Sequence, residues 1–214
     1  MIVDTHVHIT PAEGAAPHAE AATRWEQGTV TGDELIGLMA NGGVARAVLV
    51  QASRTDNYDN SYMVNTAAAH PEFFSTVCCV DVREPDADDR LAYWVHDHGV
   101  GGVRLFNAMT DGEHPWLDDP KTLKVIEMAG KLGIVVTMAS RHSDLSRVRA
   151  VAERFPQVTF TLDHLGHMPN QERPPHDNSD EFLALAEYVN LNLKFSAVNQ
   201  WAASKGIIPS GEYF

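Results

Sequence analysis

The sequence is poor in cysteine, in positive charge and in long apolar runs. Its only two cysteines, Cys78 and Cys79, are adjacent in an apolar setting, and we interpret them as reduced core thiols. The 16 Lys and Arg residues stand against 29 Asp and Glu residues, a net charge of −13. A surface of this sign argues against nucleic acid as a partner. No apolar run approaches the roughly 18 residues of a membrane-spanning helix.

An N-terminal export signal is also missing from the sequence. Together with the reduced thiols, this predicts a cytoplasmic protein that binds neither nucleic acids nor membranes. Apolar residues make up 44% of the chain and charged residues 21%, an ordinary mix for one globular core. We therefore expect a single domain over residues 1–214. The sequence is compatible with a homo-oligomer but does not decide the oligomeric state.

Two common catalytic motifs are absent as well. The first apolar segment runs into residues 6–11 (HVHITP) and not into a glycine-rich phosphate turn, which argues against a dinucleotide-binding sheet. Three serines, Ser140, Ser143 and Ser196, lack the G-x-S-x-G elbow. A serine hydrolase is therefore not expected.

Short β-branched runs alternate with amphipathic stretches along the whole chain. This is the pattern of repeated strand–helix units around a parallel sheet. The predicted strands cover residues 2–9, 44–51, 74–82, 100–106, 134–139, 158–164 and 191–197. Each gap between consecutive strands has room for one helix and two loops.

Helix ends are marked between these strands. Thr31 and Glu34 have the spacing of a capping box, and Asp119-Pro120 is typical of an N-cap followed by a first-turn proline. Glycines that precede predicted strands indicate left-handed helix ends, and these are Gly42, Gly43, Gly99 and Gly133. All of these marks predict the same alternation of helices and strands.

The alternation fits either an open doubly wound sheet or a closed (β/α)8 barrel of the TIM type. Because the phosphate turn is missing, we favour the closed barrel, an α/β fold. A barrel has eight strands, and seven are predicted here. We therefore expect that the last strand and helix are missing from these 214 residues and that the natural polypeptide continues, which would cover the otherwise unpaired edges.

The first strand carries a candidate metal site. Residues two apart in a strand point to the same face, so Asp4, His6 and His8 project together. In a barrel this face lines the interior, and the two histidines lie at the C-terminal mouth. Two imidazoles can bind one zinc ion, while a nearby carboxylate orients a ring or joins as a ligand. The alternative is a pair of core histidines with ordinary hydrogen bonds beside a structural aspartate.

The sixth strand ends in a second polar motif, Asp163-His164-Leu165-Gly166-His167. Because neighbouring strand residues point to opposite faces, only one of Asp163 and His164 faces the interior. We favour His164, which shares the face of Leu162, as a third nitrogen that converges with the histidines of the first strand. The alternative is a histidine that only donates a hydrogen bond to a loop carbonyl.

Positive charge lies near the C-terminal ends of the strands. Arginines follow or end predicted strands two to five, at Arg54, Arg83, Arg104 and Arg141, and Lys194 lies in strand seven. Guanidinium groups bind carboxylates in a bidentate manner, so we predict a small anionic substrate. We assign a catalytic role to Arg104 and substrate contacts to Arg54, Tyr58, Arg141 and Lys194. Loop arginines also act as surface charge or pair with acids such as Asp56 and Glu84, and we expect this of at least two of the four.

In chain order, these residues resemble a known family. The segments Asp4-Thr5-His6-Val7-His8, Gly102-Val103-Arg104-Leu105, Leu162-Asp163-His164-Leu165-Gly166 and Lys194-Phe195-Ser196 are similar to the amidohydrolase superfamily. The similarity is to its amidohydrolase-related branch, which contains lactonases for pyrone dicarboxylate, sulfomuconolactone and sugar lactones, and also non-oxidative decarboxylases. The resemblance covers essentially the whole chain.

The resemblance implies a distorted (β/α)8 barrel whose site takes His6, His8 and His164. It implies that these three histidines bind a divalent metal cofactor, with zinc as the first candidate. Some lactonases of the branch work without a metal, so a metal-free site stays open. The resemblance also implies an aspartate at the end of strand eight, which this sequence does not reach. It further implies a histidine at the end of strand five, which residues 134–138 lack, although His142 follows four residues later.

We therefore predict a hydrolase that opens a small carboxylate-bearing lactone. One route uses water activated by a divalent ion on His6 and His8. The metal-free route uses His6, His8 and His164 as hydrogen-bond donors to the developing oxyanion, with the strand-eight aspartate as base. In both routes Arg104 and a rim arginine hold the substrate carboxylate. Two alternatives stay open: a metal-dependent decarboxylase of an aromatic or unsaturated acid, and an inactive barrel fragment that acts as a binding module.

Overall fold

The computed structural model describes residues 1–11, 30–51, 58–106, 116–167 and 179–195. The chain forms two compact units, Met1–Arg104 and Leu105–Phe214, called here the N-terminal and C-terminal units. In the described ranges, every helix is too short or too polar to cross a lipid bilayer.

In the N-terminal unit, strands alternate with helices in chain order. The elements are β1 (Ile2–Val7), α1 (Gly32–Gly42), β2 (Val44–Val50), α2 (Ser61–Ala69), β3 (Phe74–Cys79), α3 (Ala87–His98) and β4 (Gly102–Phe106), which begins in this unit. The strand pairs β1–β2, β2–β3 and β3–β4 are all parallel. The carboxyl ends of these strands therefore lie along one edge of the sheet.

The C-terminal unit continues the alternation. Its elements are α4 (Pro120–Leu132), β5 (Val135–Ala139), a 3-10 turn (His142–Asp144), α5 (Leu145–Arg154), β6 (Phe160–Leu162), a short turn α6 (His164–His167), α7 (Ser179–Leu183), a second 3-10 turn (Ala184–Glu187) and β7 (Leu191–Leu193). The pairs β5–β6 and β6–β7 are parallel.

The predicted helix signals are confirmed. The Thr31 hydroxyl accepts from the Glu34 backbone N–H while the Glu34 carboxylate accepts from the Thr31 backbone N–H, which completes the capping box of α1. The Asp119 carboxylate accepts from the Lys121 backbone N–H at the start of α4. Left-handed glycines end three helices, at Gly43, Gly99 and Gly133, with φ of 67°, 66° and 68°.

All seven predicted strands are present, and several end earlier than expected. β1 ends at Val7, β3 ends at Cys79, and β6 ends at Leu162. The early end of β6 has a local cause, because His164 begins a run of left-handed backbone that cannot continue a strand. The end of the seventh predicted strand, residues 196 and 197, lies outside the described residues.

Each unit has its own apolar core. In the N-terminal unit the strand residues Leu49, Cys78 and Val103 are fully buried together with Leu91 of α3. β3 is buried on both faces, as is usual for parallel strands covered by helices. In the C-terminal unit the fully buried residues include Val125, Ile126, Met138, Leu145, Val148 and Phe160.

The two cysteines are buried thiols without a disulfide, as predicted from the sequence. Burial raises the pKa of the Cys78 thiol well above its usual range, so this group stays protonated. The pair belongs to the core of β3.

Two helical glycines provide a test of packing against α4. A Cβ at Gly130 would lie 2.9 Å from Val158 Cγ2, whereas a Cβ at Gly37 of α1 has no atom within 4 Å. Both positions gain helix propensity on Gly→Ala, about 0.5–1 kcal/mol. Overpacking a buried contact costs about 1–3 kcal/mol. We expect Gly37→Ala to raise the free energy of unfolding and Gly130→Ala to lower it by about 1 kcal/mol, measured by urea denaturation.

A double variant isolates the steric cause of the second effect. In a Val158→Ala background the methyl group that obstructs position 130 is absent. There Gly130→Ala should no longer destabilise the chain, because only the propensity gain remains. Equal effects of Gly130→Ala in both backgrounds would contradict this packing.

Candidate active site

The two histidines of the first strand meet through their ring nitrogens. His6 Nε2 lies 3.3 Å from His8 Nε2, and the ring centroids are 4.9 Å apart with the rings nearly perpendicular. Both side chains are half-buried. The structure thus places His6 and His8 on one face, as their spacing predicts.

A main-chain carbonyl determines the protonation of His8. Its Nδ1 lies 2.6 Å from the Val50 carbonyl oxygen, and because a carbonyl only accepts, Nδ1 carries the proton and donates. In the neutral ring, Nε2 then carries the lone pair. The contact follows from strand register: Val7 is paired with Leu49, so the next residues, His8 and Val50, emerge side by side. His8 therefore directs a basic nitrogen at His6.

This geometry fits a zinc or similar ion. Two nitrogens bound to one tetrahedral zinc at about 2.0–2.1 Å lie about 3.3–3.4 Å apart, which matches the separation of His6 Nε2 and His8 Nε2, 3.3 Å. A hydrogen bond from His8 Nδ1–H to a carbonyl is also the usual way in which a ligand imidazole is oriented. The same separation equally allows one proton to be shared between the two rings.

Asp4 contacts the main chain of its own strand. Its carboxylate Oδ1 accepts a hydrogen bond from the His6 backbone N–H at 3.0 Å. Sequence reasoning predicted that Asp4 orients an imidazole ring or joins as a ligand. The described contact stabilises the backbone of β1 beside His6, and the ring or metal contact of Asp4 stays a prediction.

Arg104 lies at the same edge of the N-terminal sheet. It belongs to β4 and is only 5% exposed. Its Nη1 lies 3.5 Å from the Gln51 backbone carbonyl, which follows β2. A buried guanidinium is weakly screened by solvent and favours an anion strongly. Arg104 is therefore placed where a carboxylate could be bound.

The other predicted cations of the N-terminal unit differ in their surroundings. Arg83 forms a two-pronged ion pair with Asp81, with its Nε 2.8 Å from Oδ1. Hydrogen bonds to Asp81 raise the pKa of the Arg83 guanidinium, so it stays charged. Arg83 is thus one of the loop arginines that pairs with an acid, and the acid at hydrogen-bond distance is Asp81. Asp56 lies outside the described residues. Arg54 lies outside the described residues.

In the C-terminal unit, the end of β6 carries a buried ion pair that sequence reasoning missed. Asp163 is fully buried and Lys194 is 9% exposed, and Lys194 Nζ lies 3.4 Å from Asp163 Oδ1. The Lys194 backbone N–H donates to the Leu162 carbonyl at 2.9 Å. Opposite charges at the ends of neighbouring strands were the available signal. The substrate contact assigned to Lys194 stays a prediction.

His164 is presented by a left-handed turn and not by a strand. The backbone φ angles of His164, Leu165 and Gly166 are 52°, 53° and 67°. The Leu165 N–H donates to the Lys194 carbonyl and the Gly166 N–H to the Asp163 carbonyl. The strand alternation used to choose between Asp163 and His164 therefore ends too early to apply. A half-buried His164 follows a fully buried Asp163.

Gly166 is favoured in this turn by its left-handed φ and also by close packing. A Cβ at Gly166 would lie 3.2 Å from Leu162 Cδ2 and 3.3 Å from Leu145 Cδ2. The close approach brings the turn down onto the core under β6.

Arg141, the remaining predicted arginine, is exposed shortly after β5.

Several solved structures are similar to this chain. A probable 2-pyrone-4,6-dicarboxylic acid hydrolase from Acinetobacter baumannii, with citric acid bound, has 19% identity and a TM-score of 0.67, and the match covers 92% of this chain and 70% of that one. An amidohydrolase from Burkholderia multivorans with bound zinc has 19% identity and a TM-score of 0.69, with 91% and 69% covered. The 2,6-dihydroxybenzoate decarboxylase from Rhizobium has 16% identity and a TM-score of 0.64, with 91% and 79% covered.

These likenesses show the fold. The described residues contain seven strands that alternate with helices, as in the (β/α) barrels of amidohydrolases, and the predicted fold class is confirmed. A comparison with curated proteins finds no match.

The family itself is shown by the sequence. A family model described as amidohydrolase matches residues 3–207. The match includes the histidine pair of β1, Arg104 and the motif after β6, the segments that carry the resemblance. The chain therefore belongs to the amidohydrolase family of enzymes.

Proposed function

We propose that this protein hydrolyses a small carboxylate-bearing lactone. The observation that carries the proposal is the edge of the N-terminal sheet, where one set of parallel strands presents two converging imidazole nitrogens and a buried guanidinium. The first group suits activation of water, and the second suits recognition of a carboxylate. The similar structure from Acinetobacter baumannii, a probable 2-pyrone-4,6-dicarboxylic acid hydrolase, supports this substrate class.

A divalent ion, with zinc as the first candidate, would be held by His6 and His8. We propose His164 as the third ligand, because in (β/α) barrels the carboxyl ends of the strands form one mouth. When bound, such an ion polarises a carbonyl and lowers the pKa of water to about 7. The zinc bound in the Burkholderia multivorans amidohydrolase supports the choice of metal.

The residues of this chain have separate roles in the proposed reaction. Arg104 binds the substrate carboxylate, with Arg141, Tyr58 and Arg54 as further contacts. Water adds to the ring carbonyl carbon, the ring ester C–O bond breaks, and the ring oxygen leaves with a proton as an enol. The product is an open-chain acid that has gained one molecule of water.

The metal-free route predicted from the sequence used His8 as a third hydrogen-bond donor and an aspartate as base, and the tautomer of His8 favours a different role for this histidine. His8 Nε2, which carries the lone pair because Nδ1 donates to Val50, can accept the proton of the attacking water. His6 and His164 then donate hydrogen bonds to the oxyanion that forms on the ring carbonyl. This version needs a proton on the His6 nitrogen that faces the substrate.

A decarboxylase is the second candidate, because the Rhizobium 2,6-dihydroxybenzoate decarboxylase has the same fold. The products separate the two reactions. Hydrolysis consumes 2-pyrone-4,6-dicarboxylate without release of carbon dioxide, whereas decarboxylation of 2,6-dihydroxybenzoate releases it. If the 214-residue chain catalyses neither reaction, this would favour the third hypothesis, a binding module.

Removal of the Arg104 charge should weaken substrate binding. Hydrogen bonds to charged groups contribute about 1.5–3 kcal/mol, so Arg104→Met should raise KM for 2-pyrone-4,6-dicarboxylate by about 10- to 100-fold with a smaller change in kcat. The control is Arg90→Met, because Arg90 is an exposed residue of α3 that pairs with Asp86. Loss of pyrone absorbance measures the rate, and circular dichroism confirms folding. An unchanged KM in Arg104→Met would contradict the assignment.

Replacement of either His6 or His8 should reduce metal binding. We expect wild-type protein dialysed against zinc and then against buffer to retain zinc, measured by atomic absorption. His6→Ala and His8→Ala should each lose it, because each supplies one of the two converging nitrogens. The control His96→Ala changes an exposed histidine of α3 and should retain the metal. Lactone hydrolysis by zinc-free wild-type protein would instead support the metal-free version.

A further inference from the structure

A short turn between β2 and α2 lies against the edge that carries the candidate site. It comprises Tyr58, Asp59 and Asn60 and is called here the 58–60 turn. Tyr58 has a φ of 60°, a left-handed conformation that is unfavourable for a residue with a side chain. Such a conformation persists only where surrounding contacts hold it.

Asn60 supplies these contacts from a fully buried position. Its Nδ2 donates to the Tyr58 carbonyl at 3.1 Å and to the Cys79 carbonyl at 3.0 Å, and its Oδ1 accepts from the Cys79 backbone N–H at 2.9 Å. The side-chain amide thus pairs with the backbone N–H and C=O of Cys79, the last residue of β3, as a neighbouring strand would. Both donors of the amide are used, and a carboxylate of the same shape has neither.

Gln51 connects the same turn to Arg104. Its side-chain Nε2 donates to the Asp59 carbonyl at 2.7 Å, and its backbone carbonyl accepts from Arg104 Nη1 at 3.5 Å. Gln51 is held in turn by β3, because its backbone N–H donates to the Val77 carbonyl at 2.9 Å. One buried residue therefore contacts both the turn that carries Tyr58 and the guanidinium at the end of β4.

We propose that Asn60 is a positioning residue for substrate recognition, which holds the 58–60 turn so that Tyr58 and Arg104 form a preorganised site for a ring carboxylate. The inference rests on the proposed function for its substrate class. Asn60 itself makes no contact with the proposed substrate, and it acts through Tyr58. Loss of its donors should therefore weaken binding of the ring carboxylate more than it slows the chemical step, because preorganisation lowers the entropy lost on binding.

The first test compares two asparagine-to-aspartate variants. Asn60→Asp keeps the shape of the side chain but sets a carboxylate against the Tyr58 and Cys79 carbonyls. Asn190→Asp is the matched control, because the Asn190 amide likewise donates to main-chain carbonyls, here the three of Ala152, Phe155 and Val158 in the C-terminal unit. We expect Asn60→Asp to raise KM for 2-pyrone-4,6-dicarboxylate by about tenfold with kcat changed less than threefold, and Asn190→Asp to lower stability without a change in KM.

Binding of isophthalate tests whether Asn60 acts through Tyr58. Isophthalate has two carboxylates in the same 1,3 arrangement on a planar ring, and it has no lactone bond to hydrolyse. By calorimetry, Asn60→Asp should weaken its binding about tenfold in the wild-type background and less than twofold in a Tyr58→Gly background, where neither the phenol nor the left-handed strain remains. Equal effects in both backgrounds, or no effect in either, would overturn the proposal.

Hydrogen exchange keeps the inference testable if the proposed function fails. Wild-type protein that neither hydrolyses the pyrone nor binds isophthalate would overturn the proposed function. The role of Asn60 is then decided by amide exchange at residues 58–61 and at Cys79, whose N–H donates to Asn60. Exchange there should be faster in Asn60→Asp than in Asn190→Asp, and equal exchange in the two variants would overturn the positioning role.

Discussion

Parallel pairing of the backbone in the N-terminal unit is the constraint on which the candidate site depends. Because β1 and β2 run in the same direction, with Val7 opposite Leu49, His8 emerges beside the Val50 carbonyl. The pairing of β2 with β3 and of β3 with β4 extends the same edge to Arg104. Strand register, which the main chain and the covering helices maintain, thus sets the positions of groups that lie far apart along the sequence.

Main-chain carbonyls orient the polar groups at this edge. The Val50 carbonyl selects the tautomer of His8, the Gln51 carbonyl faces the Arg104 guanidinium, and the Cys79 carbonyl accepts from Asn60. A carbonyl orients a donor through partial charge and leaves the formal charge of a cation in place. In a protein of net charge −13, the proposed anionic substrate would meet a buried cation at this edge.

In the C-terminal unit, an ion pair and a left-handed turn set the positions of the polar groups. The buried pair of Asp163 and Lys194 joins the ends of β6 and β7, and the turn that follows contains two left-handed residues before Gly166. Each such residue costs about 1–2 kcal/mol, and a buried ion pair is sensitive to its geometry because of desolvation. A β-strand that continued through His164 would not contain this left-handed turn.

Local sequence determined the elements and their ends, because capping, glycine conformation and apolar periodicity act within a few residues. The capping box of Thr31 and Glu34 and the common face of His6 and His8 follow from spacing alone. Only the tertiary structure decided the tautomer of His8, the burial of Arg104 and the left-handed turn at His164. These properties depend on which carbonyl or carboxylate comes to lie opposite a side chain, and that is a matter of strand register and core packing between distant segments.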